Sequence, residues 1–280
     1  MSTTSNNPLS KHFRQPAIYL KLPSGGKFWP EGSIDLPLNG EIPIFPMTVK
    51  DEIMLRTPDA LLNGNSITEM ILSCCPNIKD AWDIPAVDLD AILIAIRLAS
   101  YGPGMDIVST CPYCKENNEP TVDLRTVLDN IQPVNNYNKS TVIDNLIFDF
   151  KPQLYKDLNQ SNIITFEQQK LINTITGSDL PEEEKAAYFA DSFKKLTDLN
   201  IDTVASCIKS ITSETGEIVT NPTLIHEFLS NCDRQAYEDI KNNINNLAET
   251  NSLKPVALTC EHCEKEYQTR MEFNQSNFFA

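Results

Sequence analysis

Thr110-Cys111-Pro112-Tyr113-Cys114-Lys115-Glu116 and, far downstream, Thr259-Cys260-Glu261-His262-Cys263-Glu264 are the two stretches on which the fold turns. Each is a Cys-x-x-Cys pair led in by an apolar run, Met105 to Val108 for the first and Val256 to Leu258 for the second. Tyr267 to Phe273 offers a returning strand behind the second pair. A two-residue gap lets both sulfurs of one turn point at the same ion, and amides of the turn can hydrogen-bond thiolates that must be deprotonated to bind. Two such zinc knuckles facing each other give a closed tetrahedral set, so the sequence predicts one structural zinc site made by Cys111, Cys114, Cys260 and Cys263. An ordinary ribbon of this type closes a loop of roughly 15 to 20 residues; here 145 residues lie between Cys114 and Cys260. The metal is therefore expected to clasp the two ends of a domain.

Two other readings of the cysteines lose to this one. Cys111-Pro112-Tyr113-Cys114 is also the active-site tetrapeptide of glutaredoxins, which would make Cys111 the nucleophile of a thiol oxidoreductase. That chemistry needs a helix N-terminus to lower the thiol pKa, and the polar run Lys115 to Pro120 has no helical period. A pair of disulfides would need an oxidising compartment. The other four cysteines, Cys74, Cys75, Cys207 and Cys232, fall in apolar-periodic segments and read as small buried hydrophobes.

The chain has 280 residues, 41% of them hydrophobic, enough for a substantial core. Its longest apolar run, Ala91 to Ile96, is far too short for a membrane span. Met1 to Asn7 has neither a basic start nor an apolar core for export, so the protein is expected in the cytoplasm where it is made. The formal net charge is −15, and no run of Lys and Arg interrupts the acidic balance. That speaks against the main alternative, a zinc-ribbon regulator that binds nucleic acid.

Residues 1–46 contain Pro8, Pro16, Pro23, Pro30, Pro37, Pro43 and Pro46. Proline removes an amide donor and biases its predecessor to extended geometry, so no helix is expected there. Ile18 to Leu22, Phe28-Trp29, Ile34 to Leu36 and Ile42 to Phe45 are strand-like pieces separated by Ser24-Gly25-Gly26 and Asn39-Gly40 turns. We read the segment as an extended N-terminal arm, docking on a partner slightly in preference to the chain itself. Its removal should then leave a folded domain, 47–280.

Helical periodicity begins at Thr48, an N-cap with Asp51 and Glu52 in the first turn. Ser66 and Glu69 suggest a capping box for Ile67 to Cys74, and Asp88 a cap for a buried helix, Leu89 to Ser100, stopped by Tyr101-Gly102-Pro103-Gly104. After the first knuckle, Val142 to Phe150 alternates as a strand pair. Helices are predicted over Ile163 to Ile175, over Glu182 to Leu199 behind an Asp179–Glu182 capping box, and over Thr203 to Cys207. A hairpin spans Ile208 to Val219. Asn221-Pro222 opens one further helix and Asp233 caps the last, to Glu249. The fold class expected is α+β, a mostly helical domain with short β-hairpins.

Catalytic groups are sparse. His12, His226 and His262 are the only histidines, and no phosphate loop, His-Glu-x-x-His or nucleophile elbow is present. Nothing in these residues points to an enzyme.

Phe13-Arg14-Gln15-Pro16-Ala17-Ile18-Tyr19-Leu20-Lys21-Leu22-Pro23-Ser24-Gly25-Gly26, Arg56-Thr57-Pro58-Asp59-Ala60-Leu61-Leu62-Asn63-Gly64, the knuckle at Cys111 and Cys114, and Phe278-Phe279 give the chain a likeness to a known family. It resembles the baseplate hub subunits of T-even-type contractile-tailed bacteriophages over nearly its whole length. The resemblance implies a structural role in virus tail assembly, placing the protein in the tail baseplate of the virion or in the host cytoplasm during assembly. The partners it implies are other hub and tail proteins, and it implies no catalytic residue.

Overall fold

The computed structural model describes residues 7–56, 64–271 and 278–279. Met1 to Asn6, Thr57 to Asn63 in the family-like segment and Phe273 of the expected return strand lie outside them. All strand pairings among the described residues are antiparallel, and helices dominate, so the α+β expectation holds.

The arm is built into the body. Strands β1 (Ile18–Lys21) and β2 (Glu41–Ile44) pair as a hairpin. Leu20, Leu22, Ile42 and Ile44 drop into the main core together with helices α1 (Val49–Leu55), α2 (Asn65–Cys74) and α3 (Ala86–Tyr101). The apolar pieces that looked destined for a partner therefore pack on the chain itself. Further ties hold the loop between the strands. Ser33 Oγ donates to Asp83 Oδ2 at 2.8 Å, and Ile34 bridges Ile78. The buried Asp88 carboxylate accepts from Ser24 N at 2.8 Å, from Ser24 Oγ and from Trp29 Nε1 at 2.8 Å.

That role replaces the cap expected of Asp88. Helix α3 starts three residues earlier than predicted, behind Pro85, and Asp88 sits inside its first turn, pointing at the arm. Ser66 likewise is no cap: Gly64, in the left-handed region at φ 72°, precedes α2, and Ser66 Oγ donates to Met54 O instead. At α1 the expected cap is present, with Thr48 and Asp51 forming a reciprocal capping box.

A second core lies under the sheet of β7 (Thr141–Ile143), β8 (Leu146–Phe150), β9 (Ile208–Thr212) and β10 (Ile218–Val219), in spatial order β10-β9-β8-β7. Asp144 and Asn145, both at positive φ, make the tight β7–β8 turn that suits a twisted hairpin. Phe148, Phe150, Ile208 and Ile211 face helices α7 (Pro222–Asn231) and α8 (Arg234–Asn251), which contribute Ile225, Leu229 and Ile240.

Helices α5 (Tyr155–Thr176) and α6 (Glu182–Ser206) form a long antiparallel hairpin, and both are longer than predicted. Ser161, Ile164, Gln168, Leu171 and Ile175 on one helix, and Phe189, Ser192, Leu196, Leu199 and Thr203 on the other, are shielded positions spaced alternately by three and four residues, the spacing of a coiled-coil seam. The seam carries polar layers, including Ser161 Oγ and Thr203 Oγ1 at 3.3 Å. Those layers hid Tyr155 to Asn162 from a search for apolar period. No Gly or Pro interrupts Asn200 to Asp202, so the break expected after Leu199 does not occur, and Pro181, not Asp179, flanks the start of α6.

Candidate metal centre

Two hairpins build the site. The first runs from β3 (Gly104–Asp106) and β4 (Ser109–Thr110) through the Cys111–Cys114 turn to β5 (Asn117–Asn118) and β6 (Thr121–Asp123), which leads into α4 (Leu124–Asp129). The second is β11 (Val256–Thr259) and β12 (Glu266–Thr269), joined through Cys260–Cys263. The two turns repeat one backbone design. Cys111 N donates to Glu116 O at 2.9 Å and Lys115 N to Cys111 O at 3.0 Å; Cys260 N donates to Lys265 O at 3.0 Å and Glu264 N to Cys260 O at 2.9 Å. Lys115 at φ 65° and Glu264 at φ 59° take the left-handed conformation at matching positions. A non-glycine residue at positive φ is costly, and here it reverses the chain directly behind the second cysteine of each pair.

Cys111, Cys114, Cys260 and Cys263 meet in a single cluster, their sulfurs all within 4.8 Å of one another. Cys111 Sγ lies 3.7 Å from Cys263 Sγ, and Cys114 Sγ 3.5 Å from Cys260 Sγ. A tetrahedron with metal–sulfur bonds of about 2.3 Å has edges of about 3.8 Å, so the spacing suits a metal ion. Among the described residues this is the one such cluster, and the two knuckles are halves of one site.

Electrostatically the four thiols divide by position. Burial pushes Cys260 up, but the backbone amides of Cys263 and His262 and then the Cys114 and Cys263 thiols outweigh it and bring it down to about 6. Cys111 is lowered in the same way, against burial, by the amides of Cys114 and Tyr113. At Cys114 an amide from Glu116 favours the thiolate, yet burial and the neighbouring sulfurs prevail and push it up to about 12; Cys263 is raised likewise. The amides of each turn thus favour the thiolate at its first cysteine. The second needs a cation to give up its proton.

Groups that sequence reasoning missed join the hairpins to each other. Asn118, almost fully buried, accepts from Glu261 N at 2.9 Å through Oδ1 and donates to Glu116 O at 3.2 Å through Nδ2. Ser109 Oγ and Tyr267 OH lie 2.6 Å apart, and Lys265 Nζ stands 4.9 Å from the Tyr113 ring centroid. Only the alternation around Tyr267 hinted that its ring faces inward; nothing local marked Asn118 or Ser109. The Phe278-Phe279 pair is also structural. Arg97 NH1 donates to Phe278 O, its guanidinium lies 5.5 Å from the Phe278 ring, and both phenylalanines are buried in the main core.

Cys111 follows a strand and begins no helix, so the helix dipole that a thiol oxidoreductase uses is missing at the described site. An ion held by all four sulfurs would have its tetrahedral set filled, with no open position for a substrate. The arrangement defines a structural protein whose two distant hairpins are clasped around one cluster. Residues 16–280 match the family described as T4 bacteriophage base plate protein, and the chain belongs to that family: it is a structural, non-enzymatic component of the baseplate hub type. Neither the curated proteins nor the solved structures contain a match to it. No helix among the described residues is long and apolar enough to cross a membrane.

Proposed function

We propose that Cys111, Cys114, Cys260 and Cys263 bind one structural zinc ion, and that the zinc-clasped chain joins other hub and tail proteins when the baseplate is built in the host cytoplasm, remaining with them in the virion. The observation that carries the zinc reading is the convergence of four sulfurs from turns 146 positions apart. A cross-link closing a loop of that length restricts the unfolded chain by about 5 kcal/mol. All-sulfur tetrahedral ligation favours zinc among the common divalent ions.

We carry the division into an arm, 1–46, and a clasped body, 47–280, within the same reading. The arm's inner side chains are pinned on the body, so its contribution to partners is the outer surface, where Tyr19 and Leu38 stand exposed. The net charge of −15 suits protein neighbours with basic patches and disfavours nucleic acid.

Elemental analysis of the freshly purified protein, with a free-thiol count before and after a chelator, tests the metal. One zinc per chain with four thiols released by chelation supports it, and a metal-free protein with four freely reactive thiols refutes it. Incorporation into baseplates, scored by complementing a phage that lacks the gene, tests the assembly role separately.

A further inference from the structure

Between the bases of the two clasp hairpins, the first turns of α3 and the last turns of α8 lies a cleft of about 1300 Å³. Pockets for small ligands occupy roughly 300 to 1,000 Å³, so this one is large. Its walls carry an unspent charge. Asp90, two residues beyond the fully satisfied Asp88, faces the cleft with no hydrogen bond and no ion pair among the described residues, and burial alone holds its carboxyl up to about 6. Lys241 and Lys254 also line the cleft, and neither is within ion-pair distance of it. The folded pKa is raised, so the stability present below the ordinary carboxylate pKa is lost as pH rises to about 6. Ionised Asp90 is a cost to the free protein.

Two further features share the cleft. The side-chain amides of Asn130, Asn200 and Asn245 line it with no hydrogen bond among the described residues, each offering a donor and an acceptor. Strands β6 and β11 also border it, and among the described residues each is paired on one side only, within a two-stranded ribbon. Amide side chains and open strand edges match the alternating N–H and C=O groups of an extended backbone. A lone desolvated carboxylate, in a chain of net charge −15, matches a cation.

We propose that this cleft receives an extended polypeptide segment of a neighbouring protein, hydrogen-bonded along the β6 and β11 edges, with a Lys or Arg side chain of that segment paired to Asp90. It draws on the assembly reading only for the source of the segment and is independent of the metal.

The test uses the full chain and two immobilised decapeptide libraries, identical except for lysine or norleucine fixed at a central position. Recovered peptides are measured by fluorescence anisotropy against the wild type, Asp90→Asn and Ala248→Trp. The last fills the cleft from an exposed position of α8. The lysine library is expected to give binders and the norleucine library few. Affinity should fall at least about tenfold in Asp90→Asn and vanish in Ala248→Trp. Hydrogen exchange of the bound complex should slow at 121–131 and 253–258. Absence of binders, equal yields from the two libraries, binding indifferent to both substitutions, or protection elsewhere overturns the proposal. So does saturation of the site by butylammonium at the same affinity, which would assign the cleft to a small cation. Both variants keep the four cysteines, so zinc content and baseplate incorporation report on the clasp and the assembly role independently of peptide binding.

Discussion

Asp88→Ala is the sharpest probe of how the arm is held. In the native protein the carboxylate accepts from Ser24 N, Ser24 Oγ and Trp29 Nε1. Alanine removes both acceptor oxygens and with them all three hydrogen bonds. Trp29 is half-buried and its indole can turn to water; Ser24 is 2% exposed, which strands both its amide and its hydroxyl. Two stranded donors at about 1–3 kcal/mol each give a gross loss of about 2–6 kcal/mol. Against this stands a refund: burial raises the Asp88 carboxyl above its ordinary range despite the donors, so an ionised group that costs stability is removed with them. The net expectation is about 3 kcal/mol, or a fall in Tm of about 6–12 °C for a chain near this size. Urea and thermal unfolding, followed by far-UV circular dichroism and by tryptophan fluorescence, measure it. With Trp82 replaced by phenylalanine in both proteins, Trp29 alone reports on the arm, and circular dichroism on the helices. Because the arm supplies Leu20, Leu22, Ile42 and Ile44 to the main core, both probes should shift together. A change under about 0.5 kcal/mol, or a fluorescence transition that moves while the helical one stays, would refute the claim that the arm is part of the cooperative unit.

Deleting residues 1–46 should abolish cooperative unfolding, since it opens the main core; a truncated protein that melts sharply would show the core closing without the arm. Cys260→Ser, or chelation of the wild type, should lower stability by about 5 kcal/mol on the loop-closure argument alone, about 10–20 °C in Tm, and unchanged melting would count against the clasp. Asn118→Ala leaves the four sulfurs in place but unties Glu261 N, so metal transfer to a chromophoric chelator should accelerate and stability fall by about 1–3 kcal/mol; wild-type transfer kinetics would remove Asn118 from the site. Ser140 Oγ and then Ser210 Oγ, by hydrogen bonding to Asp149, hold its carboxyl below the usual range. That stabilisation is present above the ordinary carboxylate pKa and lost as pH falls through the native one. Asp149→Asn should flatten the acid limb of the stability curve, and an unchanged limb would speak against it.

What could be read in advance followed from local chemistry. The Cys-x-x-Cys turns, the Thr48 cap, Asn221-Pro222 and the Asp233 cap each carry their partners within a few residues, and each stands where the spacing put it. Asp88 and Ser66 are helix-start residue types whose side chains were claimed from a distance, by Ser24 and Trp29 in one case and by Met54 in the other. Long-range claims of this kind leave no periodic trace. The α5–α6 seam escaped for the opposite reason: its period is present, but Ser161, Gln168, Ser192 and Thr203 occupy it, and a search for apolar residues steps over them. Within the candidate metal centre the four cysteines that cluster were legible as spacing. Asn118 and Ser109, which tie one hairpin to the other, were not, because their partners Glu261 and Tyr267 belong to the far hairpin.

The distance between the two halves of the clasp also sets a clock. Cys260 follows Cys114 by 146 positions, about 7–30 s of synthesis at 5–20 residues per second. Every helix through α8 leaves the ribosome before the second knuckle exists. During that interval the first knuckle can offer an ion only two sulfurs, so metal capture comes late, after the helices have had time to find one another. An ion held by all four sulfurs would then seal a body that is already assembled and would not nucleate one.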